Sequence, residues 1–323
     1  MNTGAFTISI DFELYWGVRD TRSLDAYRKH LEGARQAIPR MLGLFEQHHI
    51  HATWAVVGFL FCHDRSEALA AAPRERPSYD NRALCPYRYL AQTPDIAEHY
   101  HFAPALIDLI AATPAQEIAT HTYSHYYCRE AGQTAATFSA DIAAAVRIAA
   151  TRGLAPRSLV FPRNQWHPDY LAVLAEHGIT AYRGNEHGWL YTATDNVGQN
   201  AVRRMGRLLD SYVNLSGYHT YTLESCAGAP PFNFPASRFL RPYNPRLACL
   251  DGLRLRRIKR AMRHAARQHE IFHLWWHPHN FGVDTDRNMH FLEQVIEEFE
   301  RLRRDDGMRS LGMAELADAL AAR

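Results

Sequence analysis

Short apolar runs rich in β-branched and aromatic residues alternate along the chain with longer stretches whose apolar positions recur every three or four residues. The runs at 6–10 (FTISI), 52–58 (ATWAVVG), 117–120, 158–161, 179–183 (ITAYR) and 271–276 (IFHLWW) read as strands. Helices are expected at 24–49, 102–112, 134–151, 168–177, 252–268, 289–303 and 313–322. The first carries Leu31, Ala34, Ile38, Met41, Leu42 and Phe45 on one face, with Pro39 expected to bend it. The helix at 168–177 opens on Pro-Asp, a favourable N-terminal pair. Strand and helix in alternation predict a parallel sheet, open or closed into a barrel. Two stretches break the pattern. Residues 72–90 are rich in Pro, Arg and Tyr without a period, and 186–245 are weakly periodic. We therefore expect one catalytic domain over 1–323 with loop insertions at about 62–100 and 186–250.

Composition narrows the class. Of 323 residues, 47% are hydrophobic and 22% charged, which supplies a substantial core and excludes a disordered chain. A net charge of +2 gives no ground for nucleic-acid binding. No run of eighteen apolar residues occurs, so no membrane-spanning helix is expected. The start, MNTGAFTISIDFELYW, lacks a basic segment followed by a long apolar one. The five cysteines are odd in number and form no close pair, so neither a disulfide framework nor a four-cysteine zinc site is indicated. A cytoplasmic setting is the expectation.

Polar residues gather where strands end: Asp11 and Glu13, His121 and His125, Arg163, His277 and His279. In α/β sheets and barrels, sites form at the carboxyl ends of strands. His121 and His125 converge on one face if helical and can also converge in a turn. Two imidazoles with one carboxylate suit zinc, cobalt, nickel or iron. Asp11 and Glu13 can divide the work, one ligating and the other accepting a proton from a water, or they can be ordinary loop acids. His277 follows an apolar strand and precedes Pro278, which places it at a strand exit.

In this order, the acidic strand end, ATWAVVG, THTYSHYYC, the Pro-Arg of FPRNQ and the late strand ending in His resemble the polysaccharide deacetylase (NodB-homology) family of carbohydrate esterases. The resemblance runs from Phe6 to about Leu316. It implies a distorted (β/α)7-like barrel and metal-dependent removal of an N-acetyl group from a sugar. On that resemblance Asp11 is the base, Glu13, His121 and His125 are the metal ligands, and His277 is the late catalytic histidine. Arg163 is the arginine that orients the base, and a backbone N–H near Asn164 faces the oxyanion. The metal implied is divalent, zinc first, with cobalt, nickel or iron also suited. The chain departs from the family where an adjacent Asp-Asp becomes Asp11-Phe12-Glu13, and where FPRNQ shifts the arginine. The family's Asp-x-x-Asp-Trp segment has Asp210 as its nearest counterpart.

The substrate expected is an acetylated amino sugar of a cell-surface glycan or its precursor, nucleotide- or lipid-linked. The helix at 252–268 carries Arg254, Arg256, Arg257, Lys259, Arg260, Arg263 and Arg267 around an apolar stripe. It reads either as a solvated barrel helix or as a surface for peripheral contact with anionic lipid. Two other readings stand beside the deacetylase: an amidohydrolase acting on a formamido sugar or a cyclic amide, and an inactive glycan-binding barrel.

Overall fold

The structure, a computed structural model, describes residues 2–192 and 201–322. Nine strands form one sheet: β1 (Ala5–Phe12), β2 (Ala52–Val56), β3 (Gln116–Thr120), β4 (Ser158–Val160), β5 (Ala181–Arg183), β6 (Phe232–Asn233), β7 (Arg238–Phe239), β8 (Ile271–Trp276) and β9 (Arg309–Ser310). Their order is β6-β5-β4-β3-β2-β1-β8-β7, with β9 beside β1, and the pairings are parallel. The sheet curls into a half-barrel surrounded by helices, the distorted (β/α) barrel expected from the sequence. Among the described residues β6 and β7 are not paired, so the barrel is open there. Its path holds eight strands where the resemblance implied about seven. The additional short ones are two residues long and too brief to show a period.

Every residue of β1 and β2 is buried, as parallel strands covered on both faces require. The helix Leu24–Gln47 lays Leu31, Ala34, Ile38, Met41, Leu42 and Phe45 into this core, and Pro39 lies inside it without ending it. Ser23 caps its N-terminus. Thr134 caps the helix Ala135–Ala150 through the backbone N–H of Thr137, whose hydroxyl accepts in return from the Thr134 N–H.

The two aperiodic stretches differ. Residues 72–90 are mostly loop, with a helical turn at Arg82–Leu84 and the start of the helix Pro86–Gln92. Within 186–250 lie the helix Ala201–Asp210 and strands β6 and β7, none of which the pattern revealed; residues 193–200 of that stretch lie outside the described ones. The basic helix Asp251–Gln268 is not simply a solvated face. Arg254 and Arg257 point inward and are buried. Arg254 donates to Arg241 O and to Pro242 O (3.0 Å), and Arg257 donates to Gly217 O. Two of the seven cationic residues therefore anchor the 186–250 stretch, while Arg256, Arg260, Arg263 and Arg267 are exposed.

Asp210 is the second anchor. It is fully buried, pairs with Arg238 at 2.5 Å, and accepts from Tyr191 OH (2.7 Å), Leu215 N (2.9 Å) and Ser216 N (3.0 Å). Burial pushes its carboxyl up, but Arg238 and these donors outweigh burial and hold it well below the usual carboxylate range. A depressed native pKa contributes stability above the unfolded value of about 3.9, which is lost as pH falls below it. Asp210→Asn is therefore expected to cost about 3–5 kcal/mol near pH 7, and the difference from wild type should shrink near about pH 3. Urea melts at both pH values check this; an unchanged midpoint at neutral pH would contradict it.

Candidate metal centre

Five of the residues expected at the site meet at the carboxyl end of the sheet. Asp11 is the penultimate residue of β1, and Glu13 follows it where the chain turns into the short helical segment Leu14–Gly17. His121 follows β3, and its backbone N–H donates to Val56 O at 2.9 Å, extending the β2–β3 pairing by one step. The segment from Thr122 to His125 is a turn, not a helix: both of those residues have positive φ (64° and 57°). Asp141, buried on the helix Ala135–Ala150, holds the turn by accepting from Tyr123 N (2.7 Å) and Ser124 Oγ (2.5 Å). Gly58 lets the turn approach, since a Cβ there would come within 2.4 Å of the Tyr123 ring.

The turn brings both imidazoles onto one carboxylate oxygen. Glu13 Oε2 lies 3.0 Å from His125 Nε2 and 3.3 Å from His121 Nε2. One ligand atom from each residue lies within 4.8 Å of the others, and all three side chains are buried; no other such group of donors is found among the described residues. Val160 O, 2.8 Å from His121 Nδ1, can only accept, so Nδ1 carries a proton and Nε2 is the nitrogen turned toward Glu13. That Nε2 is buried without a hydrogen-bond partner and faces an electron-rich carboxylate. Burial pushes the His125 imidazole down to about 4. Two imidazoles and a carboxylate turned toward one another form a donor set that fits a divalent ion.

Gly17 makes room for the carboxylate. A Cβ at that position would stand 1.9 Å from Glu13 Oε1. Gly17→Ala is expected to displace Glu13 and weaken metal binding by about 10–100-fold, read by titration of the metal against a chromophoric chelator. Wild-type affinity would contradict it.

Asp11 is buried and held by a fork. Arg183 donates to Oδ1 at 2.7 Å and to Oδ2 at 2.8 Å. The same guanidinium donates to Ser9 Oγ (2.9 Å) and Asn164 Oδ1 (3.0 Å) and lies over the Trp275 ring at 4.2 Å. Ser9 Oγ–H donates to His273 Nε2 (2.8 Å), and His273 Nδ1–H donates to Phe234 O (3.1 Å). Burial pushes Asp11 up, but Arg183, then His121 and His277, outweigh it and leave it below the usual range.

The arginine expected in this place was Arg163. The structure puts Arg163 in a positive-φ turn (φ 55°) after β4, paired with Asp20 at 2.5 Å and over the Tyr127 ring at 4.5 Å. Strand β5 delivers Arg183 to Asp11 instead, because its last residue reaches the same rim. The rule that polar residues at strand ends mark the site would have found Arg183 in ITAYR. The backbone N–H of Asn164 is also unsuited to the oxyanion: it donates to Phe161 O at 2.9 Å.

His277 follows β8. Its Nε2 lies 3.6 Å from both Asp11 Oδ2 and Glu13 Oε1, and Nδ1 lies 3.1 Å from Asn280 Oδ1. His279 is buried rather than exposed, stacked on His277 with ring centroids 4.9 Å apart and 3.9 Å from Glu13 Oε1. Asp210 is not at the centre; it serves the ion pair with Arg238.

The family model described as Polysaccharide deacetylase matches residues 32–182. Solved structures described as polysaccharide deacetylases, from Mycobacterium smegmatis and from Pseudomonas aeruginosa PAO1, share the fold at 16% and 13% identity, each with a TM-score of 0.60. Each alignment covers 99% of this chain and 91% of the other. The allantoinase PuuE is similar at 12% identity and a TM-score of 0.57, over 98% of this chain and 90% of its own. No curated protein sequence matches the chain.

Proposed function

We propose that the chain is a metal-dependent hydrolase of the polysaccharide deacetylase family, a reading supported by the family-model match over residues 32–182 and by the shared fold. It removes an N-acetyl group from an amino sugar of a cell-surface glycan or its precursor. The observation that carries this reading is the convergence of Glu13, His121 and His125 on one point, with Asp11 and His277 beside it.

When bound there, a divalent ion supplies Lewis acidity, withdrawing charge from an amide carbonyl and making a water more acidic. The chain's own groups do the rest. Asp11, kept ionised by Arg183, accepts the proton of the attacking water. His277 donates Nδ1–H to Asn280, which turns Nε2 toward the site; when the ring is protonated on both nitrogens, Nε2–H passes its proton to the departing amine. Water adds to the carbonyl carbon, the C–N bond breaks, and acetate and a free amine leave. Arg183 is a positioning residue, acting through Asp11.

The test is hydrolysis by protein loaded in turn with zinc, cobalt, nickel and iron. The panel holds N-acetylated amino sugars, their N-formyl analogues and a cyclic amide. Acetate release that a chelator abolishes is expected. Formate release or ring opening alone would move the assignment to the other amide hydrolases that the fold accommodates. No turnover with any loaded metal would overturn the proposal in favour of a glycan-binding barrel.

A further inference from the structure

A cavity of about 250 Å³ opens beside the proposed centre. Its connection to the site is direct. Trp275, part of its wall, stacks under Arg183 and lies 5.6 Å, ring to ring, from His277. Asn164, another wall residue, bonds to Arg183. The lining is strongly cationic. Arg163, Arg207, Arg238 and Arg241 contribute guanidinium groups, Arg163 and Arg238 being paired with Asp20 and Asp210 behind the wall, and Glu186 is the single acid among the described lining residues. Burial pushes the Glu186 carboxyl up from its usual value.

Two of the arginines carry the argument. Arg238 is 4% exposed, and Asp210 takes only its Nη1; Nε and Nη2 are buried with no hydrogen-bond partner. A buried guanidinium with donors unmet is costly unless something else accepts from it. Arg241 is half-buried, lies 5.9 Å from the Phe239 ring, and has no carboxylate partner among the described residues. Burial pushes its guanidinium down from its usual value; Tyr191 and Tyr212 oppose this, and the neighbouring Arg207 and Arg238 add to it. A sugar hydroxyl needs neither this charge nor these forks. A phosphate ester, with several acceptor oxygens and up to two negative charges, meets both.

We propose that this cavity is the phosphate subsite of the substrate, so that the amino sugar hydrolysed at the metal centre carries a phosphate or diphosphate ester at its other end. The inference rests on the hydrolase reading given above. Two sources share this chemistry: a nucleotide diphosphate and a lipid phosphate. The lipid source is worth an arm of the test because the helix Ala201–Asp210, which supplies Arg207 to the cavity, exposes Val202, Met205 and Leu209.

The experiment reads binding, not turnover. Inorganic pyrophosphate is titrated calorimetrically into the chelator-treated full chain, into Glu13→Ala, into Arg241→Gln and into Arg241→Lys. Arg241 is chosen because Arg238 also holds Asp210, and thermal melts establish that each variant is folded. Wild type and Glu13→Ala should bind alike, Arg241→Gln about tenfold or more weakly, and Arg241→Lys between them. Absence of binding to wild type, or binding unaffected by Arg241→Gln, would overturn the subsite. Loss of binding in Glu13→Ala would also overturn it, by placing the anion at the metal centre. Displacement of pyrophosphate by uridine diphosphate assigns the nucleotide source, and displacement by phosphatidylcholine vesicles containing phosphatidic acid assigns the lipid source. Either supports the subsite, and displacement by neither overturns it. Failure of the hydrolase reading shows itself separately, as pyrophosphate bound without acetate release from any sugar in the panel.

Discussion

Asp11→Asn is expected to lower kcat by about 10²–10⁴-fold while leaving about one divalent ion per chain. The asparagine keeps the shape and one acceptor oxygen for Arg183, so the fork is weakened but not emptied. What disappears is a group able to take a proton from water. The metal donors are untouched, because the three atoms that converge belong to Glu13, His121 and His125. Steady-state kinetics with elemental analysis of the same sample separates the two roles. A kcat within tenfold of wild type would remove Asp11 from the chemistry. Loss of the ion together with activity would make Asp11 a ligand rather than the base.

Arg183→Gln is expected to have two large effects from one cause. The Arg183 and Asp11 side chains are both almost wholly buried, at 0% and 4% exposure. Removing the cation leaves a buried carboxylate without its partner, which costs about 3–5 kcal/mol of stability. It also frees Asp11 from the fork that orients it, and a displacement of about 1 Å at a catalytic group can cost about 10²-fold in rate. The loss should fall on kcat and leave KM nearly unchanged, because Arg183 reaches the substrate only through Asp11. Arg183→Lys keeps the charge without the two-pronged geometry and should recover stability more than rate. Arg163→Gln is the comparison: Arg163 pairs with Asp20 rather than Asp11 and lines the proposed phosphate cavity, so its loss should fall on KM and leave kcat nearly unchanged. A kcat lost in Arg163→Gln and retained in Arg183→Gln would reverse the assignment.

Much of this site was legible because strand ends are legible. ITAYR and IFHLWW announce their strands by composition, and β1 carries Asp11 at its end in plain sequence. The ordered set from Asp11 to His277 then pointed to one rim. What the chain did not disclose is how residues distant in sequence share that rim. Arg163 and Arg183 both follow or end strands, and only the register of β4 against β5 decides which one reaches Asp11. The turn at 122–125 depends on Asp141 from a helix that reads as plain Ala-rich core, so nothing local marks that aspartate. Nothing in the sequence around Gly17 marks the Glu13 carboxylate that folds against it. In 186–250 the elements are held by tertiary partners, Asp210 with Arg238 and Arg257 with Gly217, and such segments need no period of their own.

The central claim is that Glu13, His121 and His125 hold a divalent ion. Elemental analysis of the purified wild type beside Glu13→Ala and His121→Ala tests it most directly. The account expects about one zinc, cobalt, nickel or iron per chain in wild type and almost none in either variant, each still folded. A wild type that carries no such metal even after reloading, or variants that retain it in full, would contradict the account.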